Sequence, residues 1–259
     1  MLTKADILHQ LEAFREAQGH IVSVHTSLKA IGEIDGGGEM LLSALISFFA
    51  NDGGMLCIPT HTWDTEVYDR RRADSCTGVL SMLAAAHPAA VRTTHPSHSM
   101  AVFGRQAELF SRADDTTNTP VHPRGCYGKL YEEDGFILLI GVGQEKNTFI
   151  HCVEEMLHVP GRLTKDMVER TVIHKDGRKE KRCLHWFDEE TIPDVSDFFG
   201  KFEQAFRHHG AIVDGYIGRA KVQLCRARKL KEVIELIYER NDYGELLNND
   251  DPLDEALYL

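Results

Sequence analysis

The sequence predicts a single α/β domain that carries a β-hairpin insertion. Two short apolar runs, Ile21–Val24 and Met55–Ile58, flank an apolar helical segment at 39–50. This is the pattern of a strand–helix–strand unit with parallel strands. The run Phe136–Val142 is apolar on both faces, as expected of a strand in the middle of a sheet. No internal repeat or low-complexity linker interrupts the 259 residues, so we expect one domain.

The other elements follow from shorter apolar patterns. Helices are predicted at 3–18, 78–87, 104–112, 148–158, 196–209 and 228–240, and extended segments at 91–94, 100–103 and, as a pair, around 211–225. The dipeptide Asp176-Gly177 predicts the turn of the hairpin insertion, between strands at 167–174 and 178–187. Residues 242–259 hold six acids and no base, so we predict a loosely packed acidic tail after a domain that spans 1–241.

Composition and charge exclude several classes of protein. The 29 basic and 40 acidic residues give a net charge of −11, which disfavours binding to nucleic-acid phosphates. No run of 18 apolar residues and no apolar N-terminal stretch is present, so we expect neither a membrane span nor a signal peptide. The six scattered cysteines lack a C-x-x-C motif and indicate reduced thiols. We therefore expect a cytoplasmic monomer or homodimer with no membrane or nucleic-acid partner.

The first candidate site is the segment His25–Gly38, which follows the first strand. It combines hydroxyl groups, glycines and backbone N–H groups at the carboxyl end of a strand, where open α/β sheets bind their ligands. Exposed N–H groups in such a turn bind phosphate well. A glycine-rich connector that caps the next helix explains the same residues equally simply, and the spacing matches neither a dinucleotide-binding motif nor a P-loop.

The second candidate is His95-Pro-Ser-His-Ser99, in which two histidines lie three residues apart beside a proline. Both imidazoles could face a cleft. As metal ligands they would need carboxylate or cysteine partners. The alternative is a polar turn with exposed imidazoles.

The third candidate is the segment 147–158, which follows the strongest predicted strand. On a helix His151, Glu154, Glu155 and His158 would share the side opposite the core. A histidine with a carboxylate one turn further on is a natural oriented base, because the acid fixes the tautomer and stabilises the imidazolium. A solvated helical face explains the same pattern, so the spacing alone leaves both interpretations open.

Together and in this order, these segments resemble the aminoglycoside 3-N-acetyltransferase family. Val24 to Gly37 reads V-H-T-S-L-K-A-I-G-E-I-D-G-G and matches the family's N-terminal motif V-H-[ST]-S-L-x-x-I-G-x-[IV]-[DN]-G-G almost throughout. The family's H-P-x-H-S, G-K-L-Y-E, L-L-G-V-G, N-T-x-x-H-x-x-E and V-G-x-A motifs correspond to segments that begin at His95, Gly128, Leu139, Asn147 and Ile217. The resemblance covers about residues 5–237.

The resemblance implies a three-layer α/β/α domain that transfers an acetyl group from acetyl-CoA to an amine. It implies direct attack assisted by His151 as general base, with Glu154 beside it and His98 near the thioester, and neither a metal nor a covalent acyl-enzyme. The residues that it assigns to the donor are His25, Thr26, Ser27, Leu28, Lys29, Ala30, Ile31, Gly32, Ser97 and Ser99. The acceptor is expected to be a small cationic amine held by acidic residues, for which the candidates are Asp64, Glu155 and Asp188.

Two departures from the family pattern leave the acceptor open. The stretch from Thr60 to Thr94 is shorter than in many relatives, and Arg219 stands where relatives often have Asn. Two other functions stay open as well. One is a metal-dependent amide hydrolase, with ligands drawn from His61, Asp64, His95, His98, His151 and Glu154, and the other is a CoA-binding protein without catalysis.

Overall fold

A seven-stranded mixed sheet forms the centre of the computed structural model, which describes residues 1–63 and 65–259. In chain order the strands are β1 (Ile21–Thr26), β2 (Met55–Pro59), β3 (Val67–Asp69), β4 (Val91–Arg92), β5 (Met100–Phe103), β6 (Phe136–Ile140), β7 (Val168–Ile173), β8 (Lys179–Leu184), β9 (Ile212–Ile217) and β10 (Ala220–Arg226). The main sheet has the order β4-β5-β2-β1-β6-β10-β9. Its three central strands are parallel and its outer pairings are antiparallel.

Helices cover both faces of this sheet and give the predicted α/β/α layers. They are α1 (Lys4–Leu11), α2 (Leu28–Ile31), α3 (Gly37–Phe49), α4 (Val79–Ala86), α5 (Ala107–Ser111), α6 (Cys126–Glu132), α7 (Phe149–Met156), α8 (Glu203–His208) and α9 (Ala227–Arg240), with 3₁₀ helices at Glu12–Ala17, Arg112–Asp114, Gln144–Lys146, Val195–Phe202 and Glu255–Leu257. No helix in the described residues has the length and apolarity that a membrane span needs.

The alternation of side chains along the central strands creates two cores. On β6, Leu138 and Ile140 pack toward α1 and α3, whereas Ile137 and Leu139 pack toward α7 and α9. All four side chains are fully buried, which explains why this strand is apolar on both faces. The parallel register pairs Thr26 of β1 with Ile140 of β6, so the carboxyl ends of these strands lie at one edge of the sheet.

The predicted hairpin forms as two antiparallel strands, β7 and β8, and Gly177 takes a positive φ of 86° at the turn. The three residues of β3 join it in parallel to make a separate three-stranded sheet. Sequence patterns missed β3 and α6, since neither is long enough to show a period. Whether the hairpin is an insertion relative to the family stays a prediction, as does the domain boundary at 241.

The helix predicted at 196–209 is a 3₁₀ helix over Val195–Phe202 and becomes α-helical only in α8. The first helix and the tail also differ from the sequence prediction. The first helix is regular only to Leu11 and continues as a 3₁₀ helix, in which Phe14 leaves helical geometry. The ring of Phe14 packs directly on Gly215, where a Cβ would lie 2.5 Å from the ring. The prediction of a loosely packed tail is wrong, because Leu247 and Tyr258 are buried and Lys201 donates to the carbonyl of Leu246 at 2.7 Å.

Candidate active site

A cavity of about 680 Å³ opens at the carboxyl ends of β1, β2 and β6. This volume lies within the usual range for small-molecule sites. Its walls combine four histidines with aromatic rings and a few carboxylates: His25, Thr26, His61, Trp63, His98, Glu145, His151, Trp186, Phe187, Glu189, Asp194 and Phe199 are among the lining residues. The segments singled out at the sequence level therefore meet in one place, as the parallel strand topology requires.

His151 lies on α7 and is held between two rings. Phe187 stacks on it with 4.2 Å between ring centroids, and Phe199 meets it edge-on at 4.7 Å. Its Nδ1 lies 3.7 Å from Oε2 of Glu154, one turn further along the helix. Because Nδ1 is buried on the Glu154 side, Nε2 is the nitrogen that the ring offers to the cavity. The structure thus places Glu154 beside His151, on the side of the helix where the i, i+3 spacing put it.

Glu154 is 1% exposed, and hydrogen-bond donors surround one of its two carboxylate oxygens. Its Oε1 accepts hydrogen bonds from Arg162 Nε at 2.7 Å and from the Tyr238 hydroxyl at 3.0 Å. Its Oε2, which faces His151, accepts none from the described residues. Sequence reasoning missed Arg162 and Tyr238, since one lies on a loop after α7 and the other on α9, and neither belongs to a motif.

Two further histidines of the cavity lining, His98 and His61, lie against each other. Their ring centroids are 4.4 Å apart, His98 Nδ1 lies 2.8 Å from the Ser97 hydroxyl, and His61 Nε2 lies 2.8 Å from the Tyr127 hydroxyl. Burial lowers the pKa of both histidines well below the ordinary value, and their mutual proximity lowers it further for His61. Both rings are therefore neutral at pH 7. A Ser97 hydroxyl that donates to Nδ1 leaves the His98 proton on Nε2.

Comparison with known proteins identifies the family of this chain. The family model described as aminoglycoside 3-N-acetyltransferase matches residues 24–239. The chain belongs to this family. Aminoglycoside N(3)-acetyltransferase VII from Streptomyces paromomycinus is 26% identical over 256 residues, which cover 88% of each chain.

Two solved structures of acetyltransferases share the fold. "AAC-IIIb binary with CoASH" aligns with a TM-score of 0.80 at 22% identity, covering 92% of this chain and 97% of that one. A histidine-to-alanine mutant of AAC(3)-IVa in complex with a gentamicin aligns with a TM-score of 0.78 at 24% identity, covering 93% and 90%. The predicted α/β fold class is thereby confirmed.

The residues that the family resemblance assigned to the donor divide into three groups. His25 and Thr26 line the cavity, and their buried Nε2 and Oγ1 atoms have no hydrogen-bond partner in the described part of the chain. Burial also lowers the pKa of His25 to about 4. None of the residues from Ser27 to Gly32 is among the lining residues of this cavity.

Ser97 and Ser99 lie behind the cavity wall. Ser97 supports His98, as described above. The Ser99 hydroxyl donates to the carbonyl oxygen of Thr60 at 2.8 Å and accepts from the buried Arg92 at 2.9 Å. These bonds hold together the strands beneath the site.

Two of the three acidic residues expected to hold the acceptor, Glu155 and Asp188, are not among the residues that line the cavity. Glu155 does not line the cavity; it accepts a hydrogen bond from the Thr119 hydroxyl at 2.6 Å, and burial raises the pKa of its carboxyl to about 7. Asp188 lies outside the cavity and accepts from the Thr191 hydroxyl at 2.7 Å. Asp64 lies outside the described residues. The carboxylates found in the described cavity lining are instead those of Glu145, Glu189 and Asp194.

The described members of the ligand set suggested for a hydrolase, from which Asp64 is missing, are not grouped as a metal site. Within residues 1–63 and 65–259, no three His, Cys, Asp or Glu side chains are grouped so that they could hold a metal ion. The Nδ1 of His95 already accepts the backbone N–H of His98 at 3.0 Å, and Glu154 is bonded to Arg162.

Proposed function

We propose that this chain transfers an acetyl group from acetyl-CoA to an amine of a cationic acceptor, with the 3-amino group of an aminoglycoside as the acceptor that family membership favours. The observation that carries the proposal is the placement of His151: its Nε2 faces a cavity of substrate size while its Nδ1 lies beside a buried carboxylate. This is the arrangement of an oriented general base.

In the proposed reaction the acceptor nitrogen bonds to the thioester carbon and the carbon–sulfur bond breaks. The proton that the amine loses goes to Nε2 of His151 and then to the departing CoA sulfur, so no proton or electron is left unaccounted for. Amines are mostly protonated near pH 7 and the ammonium form cannot attack, so the acceptor first loses one proton to solvent. The proton that His151 accepts and passes to the CoA sulfur is the second one, which the nitrogen loses as it bonds to the thioester carbon.

The tetrahedral intermediate carries a negative oxygen, for which His98 is the proposed donor. Burial lowers the pKa of its ring, and in the tautomer that we propose Ser97 donates to Nδ1, which leaves an Nε2–H for the oxyanion. Ser99 is a weaker candidate, because its hydroxyl proton is already directed to the Thr60 carbonyl. A positioned neutral donor of this kind stabilises a developing oxyanion without reorganisation.

The donor and acceptor halves of the cavity have different chemistry. His25 and Thr26 line the cavity, and we assign them to the pantetheine arm of the donor. AAC-IIIb, a relative with the same fold, has been solved with CoASH. The carboxylates of Glu145, Glu189 and Asp194 would bind the ammonium groups of the acceptor, and AAC(3)-IVa has been solved with a gentamicin.

The test is acetyl-CoA turnover, read as free CoA thiol, across aminoglycosides and simpler amines, with product masses measured in parallel. We expect thiol release that depends on the amine and a product heavier by one acetyl group. Thiol release that no amine accelerates, or tight CoA binding with no acetylated product, would contradict the proposal.

A further inference from the structure

The carboxylate beside His151 is tied to the C-terminal segment through one arginine. Arg162 donates from Nε to Glu154 at 2.7 Å, and from Nη1 and Nη2 to Glu245 at 2.8 and 3.1 Å. Nη2 also lies 3.2 Å from the Tyr238 hydroxyl, which itself donates to Glu154. Three donor groups of one guanidinium thus join a residue of α7 to residues that follow it by more than 80 positions.

This network leaves Glu154 little freedom. The side chains of Glu154 and Arg162 are 0% and 4% exposed, and both donors to Glu154 reach the same oxygen, Oε1. The carboxylate plane is fixed by these two bonds, so Oε2 is left pointing to Nδ1 of His151. The planar fork of arginine suits this task, because it can engage two carboxylates in fixed geometry.

The C-terminal segment is anchored independently of this bond. Leu247 is fully buried, and Lys201 donates to carbonyl oxygens of Leu246 and Asn249 at 2.7 and 3.1 Å. Lys201 belongs to the same 3₁₀ helix as Phe199, the ring that meets His151 edge-on. These contacts hold Glu245 next to Arg162. Burial raises the pKa of Glu245, but the hydrogen bonds from Arg162 and from nearby backbone N–H groups lower it by more, so the pKa lies below its usual value.

We propose that Arg162, Tyr238 and Glu245 are positioning residues, through which the C-terminal segment fixes Glu154 against His151 and sets the tautomer of the base. The inference rests on the proposed function for the role of His151, but the geometry that it concerns can be measured without substrate. Apo-enzyme contacts of this kind shorten when the reactive complex forms, so the 3.7 Å separation is compatible with a hydrogen bond during turnover.

The experiment compares Glu245→Gln and Arg162→Lys with Asp134→Asn as the matched control. Asp134 also forms a bidentate, partly buried pair, with Arg226 Nε at 2.9 Å, but it lies just before β6 begins, at the end of that strand away from the cavity. Two readouts are used: kcat and KM with acetyl-CoA, and the ¹⁵N shifts of the His151 ring, assigned by their loss in His151→Ala.

We expect the wild-type ring to carry its proton on Nδ1. Glu245→Gln should lower kcat roughly tenfold and Arg162→Lys up to about 100-fold, the loss that a small misplacement of a catalytic group causes. The KM for acetyl-CoA should hardly change, and both ¹⁵N spectra should show a mixture of tautomers, whereas Asp134→Asn should match the wild type in both readouts.

Unchanged kcat and tautomer in folded Glu245→Gln would overturn the proposal, as would equal losses in Asp134→Asn. Should Arg162→Lys fail to fold, Glu245→Gln still decides, because its side chain is 29% exposed and keeps its shape. If the wild-type protein acetylates no amine, but Glu245→Gln and Arg162→Lys still show a mixture of His151 tautomers, the proposed function is contradicted. The positioning role of these residues is then supported.

Discussion

Glu154 and Glu155 are adjacent on one helix, yet the two sides of α7 give their carboxylates opposite environments. Glu154 faces the cavity side, where Arg162 and Tyr238 saturate one oxygen and His151 lies beside the other. Glu155 faces the loop around Thr119, where it meets a hydroxyl and a backbone N–H but no cation among the described residues. Arg162 lies against the carboxylate of Glu154, whereas burial without a cation raises the pKa of Glu155 to about 7.

The largest expected effect concerns the base that Glu154 serves. His151→Ala should reduce turnover by about 10²–10⁴-fold, the usual contribution of a general base, while CoA binding persists. His158, an exposed residue at the end of the same helical segment, provides the control, and His158→Ala should retain activity. Steady-state kinetics with calorimetric titration of CoA checks both. Turnover near the wild-type level in His151→Ala would direct attention to His98 as the base.

The next largest effect is on the free energy of unfolding, which should fall when Glu154 is replaced and rise when Glu155 is replaced. Glu154→Gln removes a charge that the buried Arg162 requires, so the free energy of unfolding should fall by about 3 kcal/mol. Chemical denaturation at pH 7 measures this loss. A variant as stable as the wild type would show that Glu245 alone satisfies Arg162.

Glu155→Gln should change stability in the opposite direction, and only at high pH. Because burial raises the pKa of Glu155 to about 7, the folded state holds a proton between pH 4.5 and 7 that the unfolded state has released. Stability from this residue is therefore present at low pH and lost as pH rises through 7. Glu155→Gln should unfold with roughly 2 kcal/mol more free energy than the wild type at pH 8, and with little difference at pH 4.

Denaturation at these two pH values checks the prediction, with Glu145→Gln as a control from the cavity lining. An equal change at pH 4 and pH 8 would mean that Glu155 does not titrate between them. The difference between Glu154 and Glu155 would then not arise from the raised pKa of Glu155.

Sequence patterns predicted the parts of this site that depend on local spacing. The central strands, α7 and the pairing of His151 with Glu154 all follow from apolar periods and an i, i+3 relation. The same spacing grouped Glu155 with them, because it assumes that one side of α7 is solvated. In the structure, loops cover that side. Which loop packs against which carboxylate depends on the tertiary fold and cannot be predicted from the spacing of residues along the helix.

The remaining partners of Glu154 come from distant parts of the chain. Tyr238 is 84 residues away and Glu245 is joined to Arg162 across 83 residues. The acidic count of the tail predicted loose packing, but two apolar anchors, Leu247 and Tyr258, decide its position. A count of charges carries no information on where a few apolar side chains are buried.

The measurement that tests the central claim most directly is the turnover of Glu154→Gln and Glu155→Gln, side by side, at saturating acetyl-CoA and amine and at pH 7. If the base is oriented by the carboxylate that Arg162 holds, Glu154→Gln loses turnover by about 10²-fold and Glu155→Gln stays within about twofold of the wild type. Equal turnover in the two variants, or a larger loss in Glu155→Gln, would contradict the account.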